Sequence, residues 1–350
     1  MKYKLLSVSK SKKIATLNIG DYIQALASSQ YYPQIDGFID RDIELKDYNG
    51  EECKIIMNGW YMHNPENWPP SNKIKPLFVA FHINSTVQKD LTSESSIAYL
   101  KRNEPIGCRD YWTTNLLKNH GVNSYFSGCM TLTLGKTFNS LEKENKTYIV
   151  DPIFDPQIHI SNVLTSLVHY IKHFKDINSL FKATNLFQDT SKKITNKIKR
   201  LIKIILYYIS YTKIFSKDLI INSIYINHES QYYREHFLSD EERLKEAENL
   251  IRLYSKAKLV ITSRIHCALP CLGLNTPVIF LKRLDGYECS ECRFDGIINL
   301  LNVIEVDSLK LTPKFHIKGE ISTNNLPPIN SDWTIYSKDL DNRCTEFMNK

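Results

Sequence analysis

Three histidines, two arginines and two aspartates fall where short apolar runs give way to polar residues. They are the side chains with which this chain could hold anions and move protons. Asn18, Gly20 and Asp21 come early; Asn58 and Trp60 follow CKIIM; His82 ends LFVAFH; Arg109 and Asp110 follow IGC; His228 follows IINSIYIN; Ser263, Arg264 and His266 follow KLVIT. In open parallel sheets ligands bind beyond the C-terminal ends of the strands, so these positions form a site prediction. Arg264 and Arg109 offer bidentate forks for a carboxylate or phosphate. His266 sits one residue beyond the start of a short helix, whose free N–H groups and dipole also favour an anion, and imidazole can carry a proton near neutral pH. His82 is a second proton carrier or a third anion ligand. Each residue has a structural reading as well: a surface ion pair for Arg264, a carbonyl cap for His266, packing for Trp60. Asp21 and Asp110 stand where helix N-caps belong, the commonest use of Asp there.

The elements that must position these groups alternate. Lys4–Ser9, Cys53–Asn58, Leu77–Ile83 and Thr147–Val150 read as strands, and residues 21–30, 92–100 and 111–120 as helices, the last stopped by Gly121. The second half continues with strands at 220–227, 258–262 and 277–281 and helices at 239–256 and 265–272. Ser239 and Glu242 form a capping box ahead of the apolar stripe Leu244, Ala247, Leu250, Ile251, Tyr254. This alternation predicts an α/β protein with two Rossmann-like domains facing a cleft: 1–160, a basic helical connector at 161–218, a second domain at 219–312, and a tail at 313–350 with a terminal helix.

With 350 residues, 42% hydrophobic and 24% charged, the chain suits two globular domains. No apolar stretch approaches a membrane span and the start lacks a signal-peptide core, so a cytoplasmic location is expected. The eight cysteines then read as free thiols. Cys289 and Cys292 form a CxxC with no second pair to complete a zinc site, and no metal is expected. The net charge of +7 belongs to one segment: Thr190–Lys217 carries eight Lys or Arg and no acid, and the remainder has 37 basic and 38 acidic residues. Its stripe of Ile194, Ile198, Leu201, Ile202, Ile205 and Ile209 suits a helix lying on an anionic membrane surface or one packed inside the protein; the pattern leaves both open. A neutral remainder speaks against nucleic acid.

The segment SRIHCALPCLGLNTPVIFL resembles the Arg-x-His signature of the polysaccharide pyruvyl transferases. Further landmarks of that family follow in order: NIGD at 18–21, NGW at 58–60, IGCRD at 106–110, SGCMTLTL at 127–134 and DP at 151–152. Leu17 departs from it where many relatives carry Gly, and the basic insert has no counterpart. The resemblance implies an architecture similar to the double-Rossmann (GT-B-like) glycosyltransferases. It also implies pyruvyl transfer from phosphoenolpyruvate to a saccharide, lipid-linked or polymeric, without a cofactor. Arg264 and Arg109 would then clamp the donor's anionic groups, with His266 first and His82 second as proton carrier. Asn18, Gly20, Asp21, Asn58, Trp60 and Ser263 would contact substrate. A nucleotide-sugar glycosyltransferase of the same fold, or a binding protein of the same pathway, would share these features.

Overall fold

The computed structural model describes residues 1–8, 16–61, 64–154, 160–184, 186–187, 197–284 and 286–350, without the side chains of 160–165, 289 and 290. It is a mixed α/β molecule with several parallel sheets. Lys2–Tyr3, Cys53–Ile56 and Ile74–Leu77 pair parallel in one. Gly59–Tyr61, Phe81–Ile83, Ile106–Cys108 and Ser124–Phe126 form another. Cys53–Ile56, Phe81–Ile83 and Ile106–Cys108 are buried at every residue, which is why their sequences read as continuous apolar runs.

Two expected strands differ. Leu77–Ile83 is two strands, broken where Ala80 takes a left-handed φ of +52° and donates its N–H to Ser127 Oγ at 3.0 Å. The second piece thereby pairs in a different sheet from the first. Of 220–227 only Ile224–Ile226 is strand, because Ser216 caps a helix over Lys217–Asn222 by accepting from the Leu219 N–H. The capping box at Ser239 and Glu242 is present and opens the helix Asp240–Lys256.

The largest sheet has six strands in the order Ile224–Ile226, Thr147–Val150, Leu259–Thr262, Val278–Arg283, Asn302–Asp307 and Lys310–Pro313, antiparallel only at its last pair. Thr147–Val150, placed by sequence with the first half, is thus an inner strand among second-half partners. The halves meet in other places too. Leu17–Asn18 pairs with Glu229–Ser230. Helix Gly135–Phe138 lies so close to helix Ile265–Gly273 that a Cβ on Gly135 would collide with the Gly273 carbonyl, and one on Gly273 with the Leu132 carbonyl. The terminal helix, Trp333–Asn349, buries Trp333, Leu340 and Cys344, and its Phe347 carbonyl accepts from Lys54 Nζ at 2.9 Å.

The connector supplies helices Ile160–Lys172, Phe174–Ala183 and Lys197–Tyr211. Most of the isoleucine stripe is used inside the protein: Ile205 is 3% exposed, and Leu201, Ile202 and Ile209 pack against the same core. Ile198 is 71% exposed, while Ile194, Lys192 and Lys193 lie outside the described residues. Arg200 is buried and donates to the carbonyls of Phe181, Thr184 and Leu186, closing the end of the helix before it.

Candidate functional site

The helix Ile265–Gly273 contains Pro270, which removes the N–H that would bond to the carbonyl four residues back. That residue is His266, and it takes a non-helical φ/ψ of −82°/15°. The kink leaves its imidazole against Arg109, whose Nη1 donates to His266 Nε2 at 3.3 Å. Gly20 permits this approach. A Cβ there would lie 3.1 Å from His266 Cβ and 2.9 Å from Asn18 Oδ1, which instead accepts the Gly20 N–H at 3.0 Å.

A cavity of about 330 Å³ opens over this contact, lined by Asn18, Asp21, Trp60, Arg109, Ser263, Arg264 and His266, with Arg283 and Arg293. Its cations are not equivalent. Arg264 Nε lies 2.7 Å from Asp151 and Nη1 2.9 Å from Glu229, so the expected anion clamp already has two carboxylates. Burial works against its charge, but Asp151 and Glu229 outweigh that and hold its pKa up. Burial lifts Asp151 above the usual carboxylate range against the pull of Arg264. We take the pair as ionised, because the same Asp151 oxygen also accepts the His228 N–H at 3.0 Å. Asp151 itself sits at φ +43°, and its carbonyl accepts from Ser263 Oγ at 2.5 Å.

Arg109 is different. It is 2% exposed, its Nε has no hydrogen-bond partner, and no carboxylate lies within 4 Å of it among the described residues. An isolated buried charge costs several kcal/mol, so such a group marks a place for an anion. Burial and then the Arg109 charge push His266 well below the ordinary histidine range, leaving it neutral. Because Arg109 only donates, Nε2 is the acceptor and Nδ1 carries the hydrogen.

Three expected site residues lie off the cavity wall. His82 is fully buried, with Nδ1 2.5 Å from Asp110 Oδ2 and its ring 6.3 Å from that of Trp60. Burial, opposed by Asp110 and reinforced by Arg109, brings its pKa down to about 4. The contact is therefore a hydrogen bond from Nδ1–H to the carboxylate, and Nε2 has no partner among the described residues. Asn58 clasps the helix Gly20–Ser29, donating to the Gln24 carbonyl at 3.0 Å and accepting from Ser28 at 3.1 Å. Gly20 serves the packing just described. Asp110 does cap its helix, accepting the Thr113 N–H at 2.7 Å. Asp21 does not cap: it sits inside the first turn and pairs with Arg41 at 3.1 Å.

Sequence reasoning missed Arg283, Arg293 and the roles of Asp151, Glu229 and Arg41. Arg283 ends the strand Val278–Arg283, so the strand-end rule could have found it. Arg293 follows the CxxC in an irregular stretch and carries no such signal. Among the described residues no group of three or more His, Cys, Asp or Glu side chains could hold a metal. The Cys289 side chain lies outside them, and Cys292 Sγ is 3.8 Å from Asn84 Nδ2.

A family model described as polysaccharide pyruvyl transferase matches residues 18–285. No curated protein and no solved structure matches the chain.

Proposed function

Because this chain belongs to the polysaccharide pyruvyl transferase family, we propose that it moves the pyruvyl group of phosphoenolpyruvate onto two hydroxyls of a saccharide, forming a ketal and releasing phosphate. On this reading the two sheet systems are Rossmann-like domains of the GT-B type meeting at the cavity. The observation that carries the proposal is the buried, carboxylate-free Arg109 touching neutral His266. Phosphoenolpyruvate brings a carboxylate and a phosphate on one enol, and Arg109 supplies a fork for one of them; Arg283 and Arg293 line the same cavity. An anion laid on Arg109 cancels the second of the two effects that hold His266 neutral, after its burial, and so favours the proton that His266 gives to the methylene carbon. Of the two hydroxyl protons lost in forming the ketal, one ends on that carbon and one on the departing phosphate. The sequence-based role of Arg264 as a direct clamp gives way to one of fixing Asp151 and Glu229 at the rim. No cofactor is needed.

The test is a melting experiment with phosphoenolpyruvate, pyruvate methyl ester and a set of nucleotide sugars. Phosphoenolpyruvate at 100 times its Kd is expected to add about 2.7 kcal/mol of stability, and the neutral ester none. Stabilisation by nucleotide sugars alone would overturn the proposal in favour of glycosyl transfer.

A lipid-linked acceptor and a cytoplasmic enzyme peripheral to an anionic leaflet belong to the same proposal. Among the described residues no helix is long and apolar enough to cross a membrane. Support for surface contact comes from the helix before the basic stripe: Leu167, Val168, Ile171 and Phe174 are exposed at helical spacing. Lys172, Lys175, Lys197 and Lys199 are exposed and Lys203 half-buried on that helix and the two after it, whose one acid, Asp176, is paired with Lys217. The protein is expected to sediment with anionic liposomes at low salt and to release as salt rises. Ile171→Glu with Val168→Glu should weaken this by about tenfold or more without lowering Tm, since both side chains are largely in water. Sedimentation indifferent to lipid charge would remove the membrane from the proposal.

A further inference from the structure

A second cavity, of about 340 Å³, lies against the first, and Asn18, Asp21, Trp60, Arg264 and Arg293 line both. The two differ in the kind of charge they present. The first contains Arg109, which has no carboxylate near it. The carboxylates of the second are held in ion pairs: Arg41 lies 3.1 Å from Asp21 and 3.3 Å from Asp42, and Arg264 lies 2.9 Å from Glu229. Thr16 Oγ1 donates to the other Glu229 oxygen at 3.1 Å. These ion pairs, with Arg234 and Arg293 on the same wall, set carboxylate oxygens and guanidinium N–H groups side by side. A hydroxyl both donates and accepts, so a polyol matches such a lining better than an ion does. Trp60, with the Arg293 guanidinium 5.7 Å over its ring, adds an aromatic edge to the same wall.

We infer that this second cavity holds a sugar ring of the acceptor, and that Asp21, on the shared wall, takes a proton from the attacking hydroxyl. The inference rests on the pyruvyl-transfer reading above. Asp21 Oδ1 is engaged by Arg41 and by Gln24 Nε2 at 3.3 Å, while Oδ2 has no partner among the described residues. The first sugar oxygen bonds to the enol C2 as C3 gains a proton from His266, and Asp21 receives the hydroxyl proton. The C2–O bond to phosphate then breaks, and Asp21 passes its proton to the leaving phosphate. The second hydroxyl closes the ketal and returns a proton to His266. Both side chains end as they began.

The experiment places Thr16→Trp, which fills the second cavity, and Asp21→Asn in the source cells and in purified protein. Ketal content of the cells' surface polysaccharide is read by mass spectrometry, and donor binding by the melting shift with phosphoenolpyruvate. Thr16→Trp should keep the shift and lose at least ~10-fold in ketal; Asp21→Asn should keep the shift and lose ~10²-fold or more. Asp42→Asn, which lines the second cavity and not the first, stands in with the same expected outcome if Thr16→Trp melts below the wild type without ligand. Wild-type ketal content in the cavity variant, or loss of its shift with phosphoenolpyruvate, overturns the inference. Absence of a shift in the wild type would instead overturn the pyruvyl-transfer reading, so the two failures are distinct.

Discussion

Arg109→Met is expected to lower turnover by ~10³-fold while leaving the unliganded protein as stable as before, or more so. The combination is unusual for a fully buried residue and follows from what surrounds it. Among the described residues Arg109 has no carboxylate to abandon, and its one side-chain hydrogen bond is to a neutral imidazole at 3.3 Å. Replacing a desolvated, unpaired cation with an apolar chain of similar length removes a burial penalty rather than an interaction. Catalysis loses its clearest anion fork at the same stroke, and the melting shift with phosphoenolpyruvate should vanish. Arg109→Lys keeps the charge without the fork and should recover part of the affinity. Phosphate release and thermal melts decide the matter. Turnover within tenfold of wild type, or a collapse in Tm, would show that Arg109 is a structural residue.

The second large effect is on acid stability. His82, His228 and His266 are buried and neutral: burial takes His82 to about 4 and His228 to about 3, and holds His266 well below 6.5. Unfolded, all three titrate near 6.5, so below that pH the unfolded chain binds more protons than the folded one. Stability is therefore complete above the unfolded pKa and declines as pH falls through the window below it. Each such histidine contributes a slope of about 1.4 kcal/mol per pH unit, so three together remove roughly 4 kcal/mol per unit. Against a typical total of about 5–15 kcal/mol, cooperative unfolding is expected between about pH 5 and pH 3. Urea melts at pH 7 and pH 5 measure it; a denaturation midpoint that does not move between them would contradict the neutral assignment. Donor binding should in turn be accompanied by proton uptake near neutral pH, as the anion offsets Arg109 beside His266.

The strand-end rule brought seven residues to one cavity: Asn18, Asp21, Trp60, Arg109, Ser263, Arg264 and His266. These residues meet because strands from both halves end or pass there. The rule could not tell an edge strand from an inner one. His82 is register partner to Trp60, yet Trp60 lines the cavity and His82 lies in the core against Asp110. It also could not see that Asp151 and Glu229 take up the charge of Arg264, since those contacts join residues 113 and 35 apart. Among the elements, Leu77–Ile83 was misjudged because an alanine in left-handed conformation leaves no mark in composition. Local pattern identified Thr147–Val150 as a strand, but its sheet was decided by distant partners.

That last strand has a consequence for how the chain is made. Thr147 pairs with Leu259, about 110 residues later. At ~5–20 residues per second, a ribosome needs roughly 6 to 22 s to deliver the partner. For about two thirds of that interval TYIV, buried at all four positions in the finished protein, has neither neighbour in its sheet; Ile224–Ile226 is then delivered first. The first half can collapse around its own cores while this strand waits, and the large sheet can close only after the Leu259–Thr262 strand has emerged. Slow codons or a premature stop between the two would therefore leave an apolar β-rich segment exposed, making the stretch from 151 to 258 the period of greatest exposure to aggregation during synthesis.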